Sequence, residues 1–191
     1  MEHRKDMYRK LYNLQHLSQE GGYFVETHRS PQTVWLENYE GHTRNASTKI
    51  YFMLVADEKY GKTNFLNKNK SDIMHTFVDG WPAKYIYVTS DGILHEKILG
   101  PDHEKGQVSE LLIPGGLYKT AKVIANDKNS NYGKFYGEVP FTLLTEVVTP
   151  GFDYRDRYVL KTLDELKSTF PDLLHELKEF IAPNSTPQNN H

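Results

Sequence analysis

The sequence predicts an all-β domain, built as a sandwich or barrel, with a short helix near each end. Seven or more short runs of β-type residues are separated by turn signals, and they do not alternate with helical patterns as a parallel sheet would require. Aromatic residues make up 13% of the 191 residues, a share typical of folded β-rich proteins. We expect one domain over residues 1–181 and a disordered Pro/Asn/Gln tail over 182–191.

The strands are predicted from apolar or alternating runs bounded by Gly, Pro, Asn and Asp. These runs are residues 23–28, 48–55, 71–78, 84–88, 93–99, 108–113, 117–124 and 136–149. The run 48–55 is apolar almost throughout, which predicts burial on both faces, whereas residues 29–47 are predicted to be mostly loop. Asp79–Gly80 is a strong hairpin signal, so we expect the strands on either side of it to pair with each other.

The two helices are predicted from different signals. Leucines recur at helical spacing over residues 8–17. Near the other end, Thr162 and Glu165 match a capping box, and apolar residues within 173–181 trace one helix face. Just before that helix, charges alternate over residues 153–157, which predicts a solvated, salt-bridged edge.

Charge and composition exclude several classes of protein. The net charge of −2 and pI near 6.5 give no electrostatic footprint for nucleic acid or an anionic membrane. No apolar run approaches the roughly 20 residues of a membrane span, and the absence of cysteine excludes disulfides and Cys-ligated metals. No signal-peptide pattern follows Met1, so we expect a cytoplasmic protein without nucleic-acid or membrane partners.

The predicted hairpin carries the residues best suited to line a cavity. Because side chains alternate along a strand, Ile73, His75 and Phe77 share one face of its first strand. Tyr85 and Tyr87 lie together on its second strand. An aromatic, polar-tipped face is typical of a ligand-cavity wall and therefore predicts a small-molecule binding site. The pattern identifies neither the molecule nor a reaction.

Histidine and tyrosine are the candidate acid–base residues. His75 lies in mid-strand among aromatic residues, and imidazole is the side chain that titrates near neutral pH. The alternative is a half-buried structural histidine with a satisfied hydrogen bond. Tyr51, Tyr85 and Tyr87 are candidates to present hydroxyls to a ligand or to exchange protons with it. Their alternative is a core role, with each hydroxyl satisfied inside the protein.

Charged residues on the predicted strands are candidate ligand-binding groups. Glu26 and Lys49 alternate with apolar neighbours, and if both point inward they should pair, since a lone buried charge is costly. Lys119 is either a cation in a ligand cavity or a solvated surface residue. Arg29 and Arg44 suit bidentate binding of a carboxylate or phosphate, with structural salt bridges as the alternative.

Several motifs, taken together, resemble those of the cupin-5 family. They are Glu-Gly-Gly-Tyr-Phe-x-Glu-Thr-x-Arg-Ser at residues 20–30, Arg44, Ser-Thr-x-Ile-Tyr-Phe-x-Leu at 47–54, the Pro-Gly-Gly that closes 108–116, and Val-x-Pro-Gly-Phe-Asp at 148–153. The resemblance covers about residues 14–165. It implies a double-stranded β-helix (jelly roll), usually in a homodimer, with a ligand cavity inside the barrel and a reaction that is generally unassigned.

The resemblance also locates the positions at which many cupins hold a metal, with two histidines and a glutamate in one motif and a histidine in a second. The residues at the matching positions here are Leu66, Asn67 or Asn69, Asp72, His75 and Lys119. A divalent cation needs about three or four imidazole or carboxylate ligands, and an ammonium repels it. We therefore expect no resident metal and no cofactor.

The expected function is binding of a small polar or anionic molecule in the barrel of a metal-free homodimer. One alternative is a metal-free isomerase or epimerase of a sugar-like substrate, in which His75 pairs with Tyr51, Tyr85 or Tyr87 as base and acid. The other is a divergent metal-dependent cupin enzyme that uses His75, Asp72 and further ligands.

Overall fold

Two antiparallel β-sheets form the body of the protein. A computed structural model describes residues 3–56, 63–125 and 138–182. In spatial order, the six-stranded sheet contains β1 (Gln15–His16), β2 (Tyr23–Arg29), β5 (Thr48–Val55), β12 (Phe141–Thr149), β7 (Asp72–Gly80) and β10 (Glu110–Ile113). The five-stranded sheet contains β13 (Arg157–Val159), β6 (Thr63–Asn69), β11 (Tyr118–Val123), β8 (Ala83–Val88) and β9 (Leu94–Leu99). A separate two-stranded sheet pairs β3 (Thr33–Trp35) with β4 (Thr43–Asn45).

The strand order is that of a jelly roll, which confirms the predicted fold class. β12 lies between β5 and β7, and β11 lies between β6 and β8, so strands distant in the chain are neighbours in both sheets. The core between the sheets is made of side chains from both of them, among them Phe52, Leu144, Ala83, Leu99 and Ala121. This closed double sheet encloses the interior in which the candidate site lies.

The helices cover the outside of the sheets. They are α1 (Arg4–Tyr12), α2 (Leu163–Thr169) and α3 (Leu174–Leu177), with 3-10 turns at His103–Lys105, Tyr154–Asp156, Pro171–Leu173 and Lys178–Phe180. The predicted capping box is confirmed, since Glu165 N donates to Thr162 Oγ1 at 3.1 Å and Thr162 N donates to Glu165 Oε2 at 3.1 Å. Within the described parts of the chain, none of the helices is long and apolar enough to cross a bilayer.

The C-terminal apolar residues form a second core on the outer face of the five-stranded sheet. Leu166, Leu177 and Phe180 pack there with Ile86 and Val88. The single helix face predicted over 173–181 is instead divided between a one-turn helix and two 3-10 turns. Of the predicted tail, only residue 182 lies within the described residues.

The predicted hairpin at Asp79–Gly80 is wrong. β7 pairs with β12 and β10, whereas β8 pairs with β11 and β9, so the two strands lie in different sheets. Gly80 has φ +98°, and the backbone of Trp81 donates to Phe141 O at 2.6 Å. The turn therefore carries the chain from one sheet to the other. Side chains of β7 and β8 consequently meet across the barrel interior.

The N-terminal helix ends earlier than predicted. Asn13 adopts the left-handed conformation (φ 53°) and caps α1, and the predicted helical residues 15 and 16 pair with β2 instead. The helix is held against the barrel because Arg4 donates to Asp79 at 2.8 Å and the Tyr12 ring stacks on Tyr51 with centroids 4.2 Å apart. Tertiary contacts, rather than leucine spacing, set its position.

Candidate functional site

A cavity opens between the two sheets. The cavity has a volume of about 100 Å³, enough for several waters or a small molecule. Its polar lining consists of Glu20, Glu26, Arg29, Thr48, Asn64, Asn67, Asn69, Lys119, Glu146 and Arg157. Its apolar and aromatic lining consists of Leu17, Phe24, Ile50, Phe52, Ile73, Val148, Phe152 and Tyr154.

Strand register explains how one wall is built. In the six-stranded sheet, Ile50 lies opposite Glu26 on one side and Glu146 on the other, and Glu146 lies opposite His75. Residues directly opposite one another project from the same face of a sheet. This row of four therefore faces the barrel interior. Glu146 reaches the cavity surface, whereas His75 lies behind it.

A β-bulge places three asparagines on the facing wall. Asn67 and Asn69 share a face by ordinary alternation, and two residues of β6 then oppose the single Thr120 of β11. Such a bulge adds one residue and turns the next side chain to the same face, so Asn64 joins them in the cavity. Asn67 Nδ2 donates to Asn64 Oδ1 at 2.9 Å, and Asn64 Nδ2 donates to Glu20 O at 3.2 Å. This wall is therefore a hydrogen-bonded set of amides.

Lys119 is a buried cation facing the cavity. It lies opposite Asn67 in β11, and the residue is only 4% exposed. Its Nζ donates to Asn64 Oδ1 at 3.3 Å, although an ammonium carries three N–H donors. Among the described residues, Lys119 forms no ion pair within 4.0 Å of a carboxylate. Of the two alternatives drawn from the sequence, the inward orientation is the one observed.

Glu146, His75 and Tyr85 form a buried polar cluster behind the cavity wall. His75 Nδ1 lies 3.1 Å from Glu146 Oε1 and 3.3 Å from the Tyr85 hydroxyl. His75 is 0% and Tyr85 1% exposed, while Glu146 is 8% exposed. Within the described structure, His75 Nε2 has no hydrogen-bond partner. The cluster therefore reaches the cavity through the carboxylate of Glu146.

Burial and neighbouring charges set the ionisation of this cluster. Burial lowers the pKa of His75, opposed by Glu146 and reinforced by the Lys119 charge. Burial alone would raise the pKa of Glu146, but Lys119 and the contact with His75 outweigh it and lower the pKa. A neutral imidazole donates from one nitrogen only, and an ionised carboxylate only accepts. We therefore assign the proton of His75 to Nδ1, donated to Glu146.

The cavity mouth carries two ion pairs and aromatic rings. A bulge in β2 turns both Glu26 and Arg29 toward the mouth, where the two side chains pair at 2.6 Å. On the other side Arg157 pairs with Glu20 at 2.6 Å. The Arg157 guanidinium also lies 5.1 Å from the centroid of the Tyr154 ring. Each mouth carboxylate is thus balanced by an arginine, and of the described cations lining the cavity, the one without such a partner is the deeper Lys119.

Two predicted site residues lie on the other face of β5. Tyr51 stacks on Tyr12 of α1, and Lys49 Nζ lies 6.0 Å from the Tyr51 ring centroid. The expected pair between Glu26 and Lys49 is therefore not formed, because Glu26 lies opposite Ile50 and Lys49, the next residue of β5, projects from the other face. Neither Tyr51 nor Lys49 lines the cavity.

The remaining predicted residues also lie away from the cavity surface. Phe77 is half-buried and packs against the main core. Tyr87 lies opposite Lys119 in the register but stacks on His95, with centroids 5.2 Å apart. Tyr85 is buried beside His75, as described above. None of these three residues lines the cavity.

Arg44 forms a structural salt bridge, which was the alternative to ligand binding that the sequence left open. Its guanidinium donates to both carboxylate oxygens of Asp156, at 2.6 and 2.8 Å, and the residue is 3% exposed. Asp156 is buried as well, and Arg157 lines the cavity. The prediction of a solvated edge over 153–157 is therefore wrong at these two positions.

The residues at the cupin metal positions do not fit a divalent cation. Leu66 packs into the outer core, and Asp72 is exposed, with its Oδ1 accepting from Gly115 N at 2.8 Å. Lys119 adds an ammonium, which repels a cation. The parts of the chain that the structure describes contain no group of three His, Asp or Glu side chains able to share a metal ion. Imidazole and carboxylate donors in that number are what such ions require.

Sequence reasoning missed several cavity residues, of which Glu146 matters most. It is the only charged residue in the nine-residue strand β12. A lone carboxylate inside an apolar strand is costly to bury without a partner, and that conflict is the signal that would have identified it. Asn64, Glu20 and Arg157 carry no comparable signal, because a bulge and loop packing bring them to the cavity.

Known proteins share both the sequence pattern and the fold. A model of the family described as "Cupin superfamily (DUF985)" matches residues 9–160. An uncharacterised protein of Saccharomyces cerevisiae is 38% identical over 156 residues, which cover 78% of this chain and 71% of the yeast protein. A hypothetical protein from Leishmania major superposes with a TM-score of 0.79 at 24% identity, over 93% of this chain and 98% of that chain. A Shewanella oneidensis protein superposes with a TM-score of 0.75 at 20% identity, over 96% and 100% of the two chains.

At these identities the two solved structures establish the fold alone. The family match spans most of the chain and agrees with the motifs, and the yeast relative is itself without an assigned function. The jelly-roll topology agrees with both. The chain belongs to the cupin-5 (DUF985) family of the cupin superfamily.

Proposed function

We propose that this protein binds a small polar or anionic molecule inside its barrel, without a resident metal, as a cytoplasmic homodimer. The observation that carries the proposal is Lys119, whose buried ammonium faces the cavity and, among the described residues, forms a single hydrogen bond, 3.3 Å, to Asn64 Oδ1. A buried charge with unfilled hydrogen-bonding capacity is costly. Retaining one in a cavity is typical of a site whose ligand completes the shell.

The composition of the cavity wall supports the same proposal. Ligand sites combine an apolar surface with a few placed polar groups. Here Phe24 and Phe52 supply aromatic surface, while Asn67 and Asn69 present amides. The mouth pairs neutralise one another, so among the described cavity residues the cation outside a close ion pair is Lys119.

The proposal is tested by a thermal-shift screen of sugars, nucleotides and carboxylic acids against the wild type and Lys119→Met. A compound at 100 times its Kd stabilises the folded state by about 2.7 kcal/mol, which raises Tm by roughly 5 °C or more for a chain of this size. We expect such a shift in the wild type and its loss in Lys119→Met. The matched control is Lys122→Met, which removes a half-exposed lysine of the same strand, paired with Glu179 at 2.7 Å.

Two results would overturn the proposal. One is a complete screen without a shift in the wild type. The other is a ligand that stabilises Lys119→Met as much as Lys122→Met. Stoichiometric iron, manganese or zinc in protein purified without an affinity tag would overturn its metal-free part. Sedimentation velocity and cell fractionation test the homodimer and the location.

One observation favours an isomerase or epimerase as a second candidate. An acid–base group must touch the ligand, and Glu146 lines the cavity with His75 bonded behind it. Of the pairs proposed from the sequence, His75 with Tyr51 or Tyr87 receives no support, because Tyr51 stacks against α1 and Tyr87 stacks on His95. The Tyr85 hydroxyl lies 3.3 Å from His75 Nδ1, but behind the cavity wall. Exchange of a carbon-bound proton of the bound ligand in D₂O, followed by NMR and lost in Glu146→Gln, is the expected result for an enzyme. A bound ligand that never exchanges would leave binding alone.

A further inference from the structure

Two opposite charges lie buried in the same cavity without touching. Lys119 is 4% exposed and Glu146 8%, and both line the cavity. The Lys119 charge lowers the pKa of Glu146, yet among the described residues the ion pair of Glu146 within 4.0 Å is with His75, not with Lys119. Opposite charges in a low-dielectric interior attract strongly. A space held open between two such charges is typical of a ligand site.

The unfilled hydrogen-bonding capacity of these two groups is complementary. Lys119 Nζ donates one hydrogen bond to Asn64 Oδ1 and has further N–H groups to donate. Glu146 receives its contact from His75 through Oε1, and its carboxylate can accept further hydrogen bonds. A bridging molecule must therefore offer an acceptor at one end and a donor at the other.

A plain anion meets only half of this requirement. Its carboxylate satisfies Lys119, but it places nothing that can donate to Glu146, and two carboxylates then share one buried space. A carboxylate with a neighbouring hydroxyl or ammonium satisfies both groups. The apolar wall formed by Ile50 and Val148 beside Glu146 leaves room for a short hydrocarbon part.

Resting on the proposed function, we infer that the cavity ligand is a small α-hydroxy or α-amino carboxylate, held between Lys119 and Glu146. The carboxylate accepts from Lys119 Nζ, and the hydroxyl or ammonium donates to Glu146. His75 is a positioning residue in this arrangement, since its bond to Oε1 fixes the direction of the Glu146 carboxylate.

The test uses three compounds with one carbon skeleton: 3-methylbutanoate, 2-hydroxy-3-methylbutanoate and valine. Their Kd values are measured by isothermal titration calorimetry on the full chain. A hydrogen bond to a charged group contributes about 1.5–3 kcal/mol, so we expect a donor-bearing compound to bind the wild type at least about tenfold more tightly than the plain acid. Preference for valine identifies an ammonium, and preference for the hydroxy acid identifies a hydroxyl.

Variants assign the two contacts. Glu146→Gln retains an oxygen near His75 but loses the charge, so a preference for valine should fall below about threefold. Lys119→Met should weaken all three compounds, whereas Lys122→Met should leave them unchanged. The comparison of the three Kd values on the wild-type protein remains valid even where a variant folds poorly.

The outcomes separate this inference from the proposed function. Equal binding of the plain acid and both donor-bearing compounds overturns the inference and leaves the proposed function in place. The same conclusion follows if another class of compound from the screen binds while this series fails, as it would if water alone bridged Lys119 and Glu146. Failure of every compound in both experiments overturns the proposed function itself.

Discussion

His75 Nδ1 and Glu146 Oε1 lie 3.1 Å apart in the barrel interior, joining opposed residues of two neighbouring strands. This contact holds Oε1 of the Glu146 carboxylate toward His75, while Glu146 also lines the cavity. The other ring nitrogen of His75 has no partner among the described residues. This pair determines how the cavity responds to pH.

The free energy of unfolding should decrease as the pH is lowered, and His75 should account for part of that decrease. Burial lowers its pKa below the ordinary value near 6.5, so the unfolded chain binds the proton more readily. The contribution of His75 is therefore fully present above about pH 6.5 and is lost as pH falls from there toward the folded-state pKa. The pKa of Glu146 is also lowered, and its contribution is lost at still lower pH.

The variant that checks this is His75→Asn, which keeps an N–H donor near Glu146 but cannot be protonated. Urea unfolding at pH 7 and pH 5 should show a larger loss of unfolding free energy in the wild type than in the variant. Equal losses in the two proteins would contradict the assigned burial of His75.

Arg44 and Asp156 should stabilise the fold rather than bind the ligand. Arg44→Met leaves the Asp156 carboxylate buried without its cation, and such a loss costs about 3–5 kcal/mol. Arg44→Lys should also destabilise, because an ammonium cannot reproduce the two-pronged contact at 2.6 and 2.8 Å. The partly exposed pair Lys84–Glu96 provides the control, since Lys84→Gln should cost less than about 1 kcal/mol. Denaturant unfolding measures all three, and an Arg44→Met cost as small as the control's would refute this role.

Gly80 should tolerate a side chain far less well than Gly92. Both have positive φ, +98° and +81°, so alanine at either costs roughly 1–2 kcal/mol of backbone strain. At Gly80 the added Cβ would also lie 2.2 Å from Phe141 O, whereas nothing lies within 4 Å at Gly92. Overpacking adds about 1–3 kcal/mol, so Gly80→Ala should unfold at clearly lower denaturant than Gly92→Ala. Equal midpoints would mean that the crossing between the sheets is looser than described.

Strands with apolar patterns were predictable, whereas the asparagine-rich strand β6 was not. Thr48–Val55 was predicted with its observed bounds because its apolar run is continuous. β6 was missed because Asn64, Asn67 and Asn69 interrupt the apolar pattern while pointing inward. Inward-pointing polar residues invert the rule by which strands are recognised, so the asparagine wall formed by β6 is the part of the fold that the sequence conceals.

The failed hairpin and the partly correct site have a common cause. A turn signal such as Asp79–Gly80 reports local backbone preference, but β7 finds its partner in β12, far along the chain. Alternation left the orientation of Glu26 and Lys119 open, and the strand register in the barrel turns both toward the cavity. It also did not show that Tyr51 lies on the outer face of β5, where α1 gives the ring a partner.

The most direct measurement is a crystal structure of the protein with the compound that gives the largest thermal shift. The account predicts the compound inside the barrel, with an oxygen within about 3.2 Å of Lys119 Nζ. A compound bound on the outer surface, or a Lys119 side chain turned out to solvent in the complex, would contradict it.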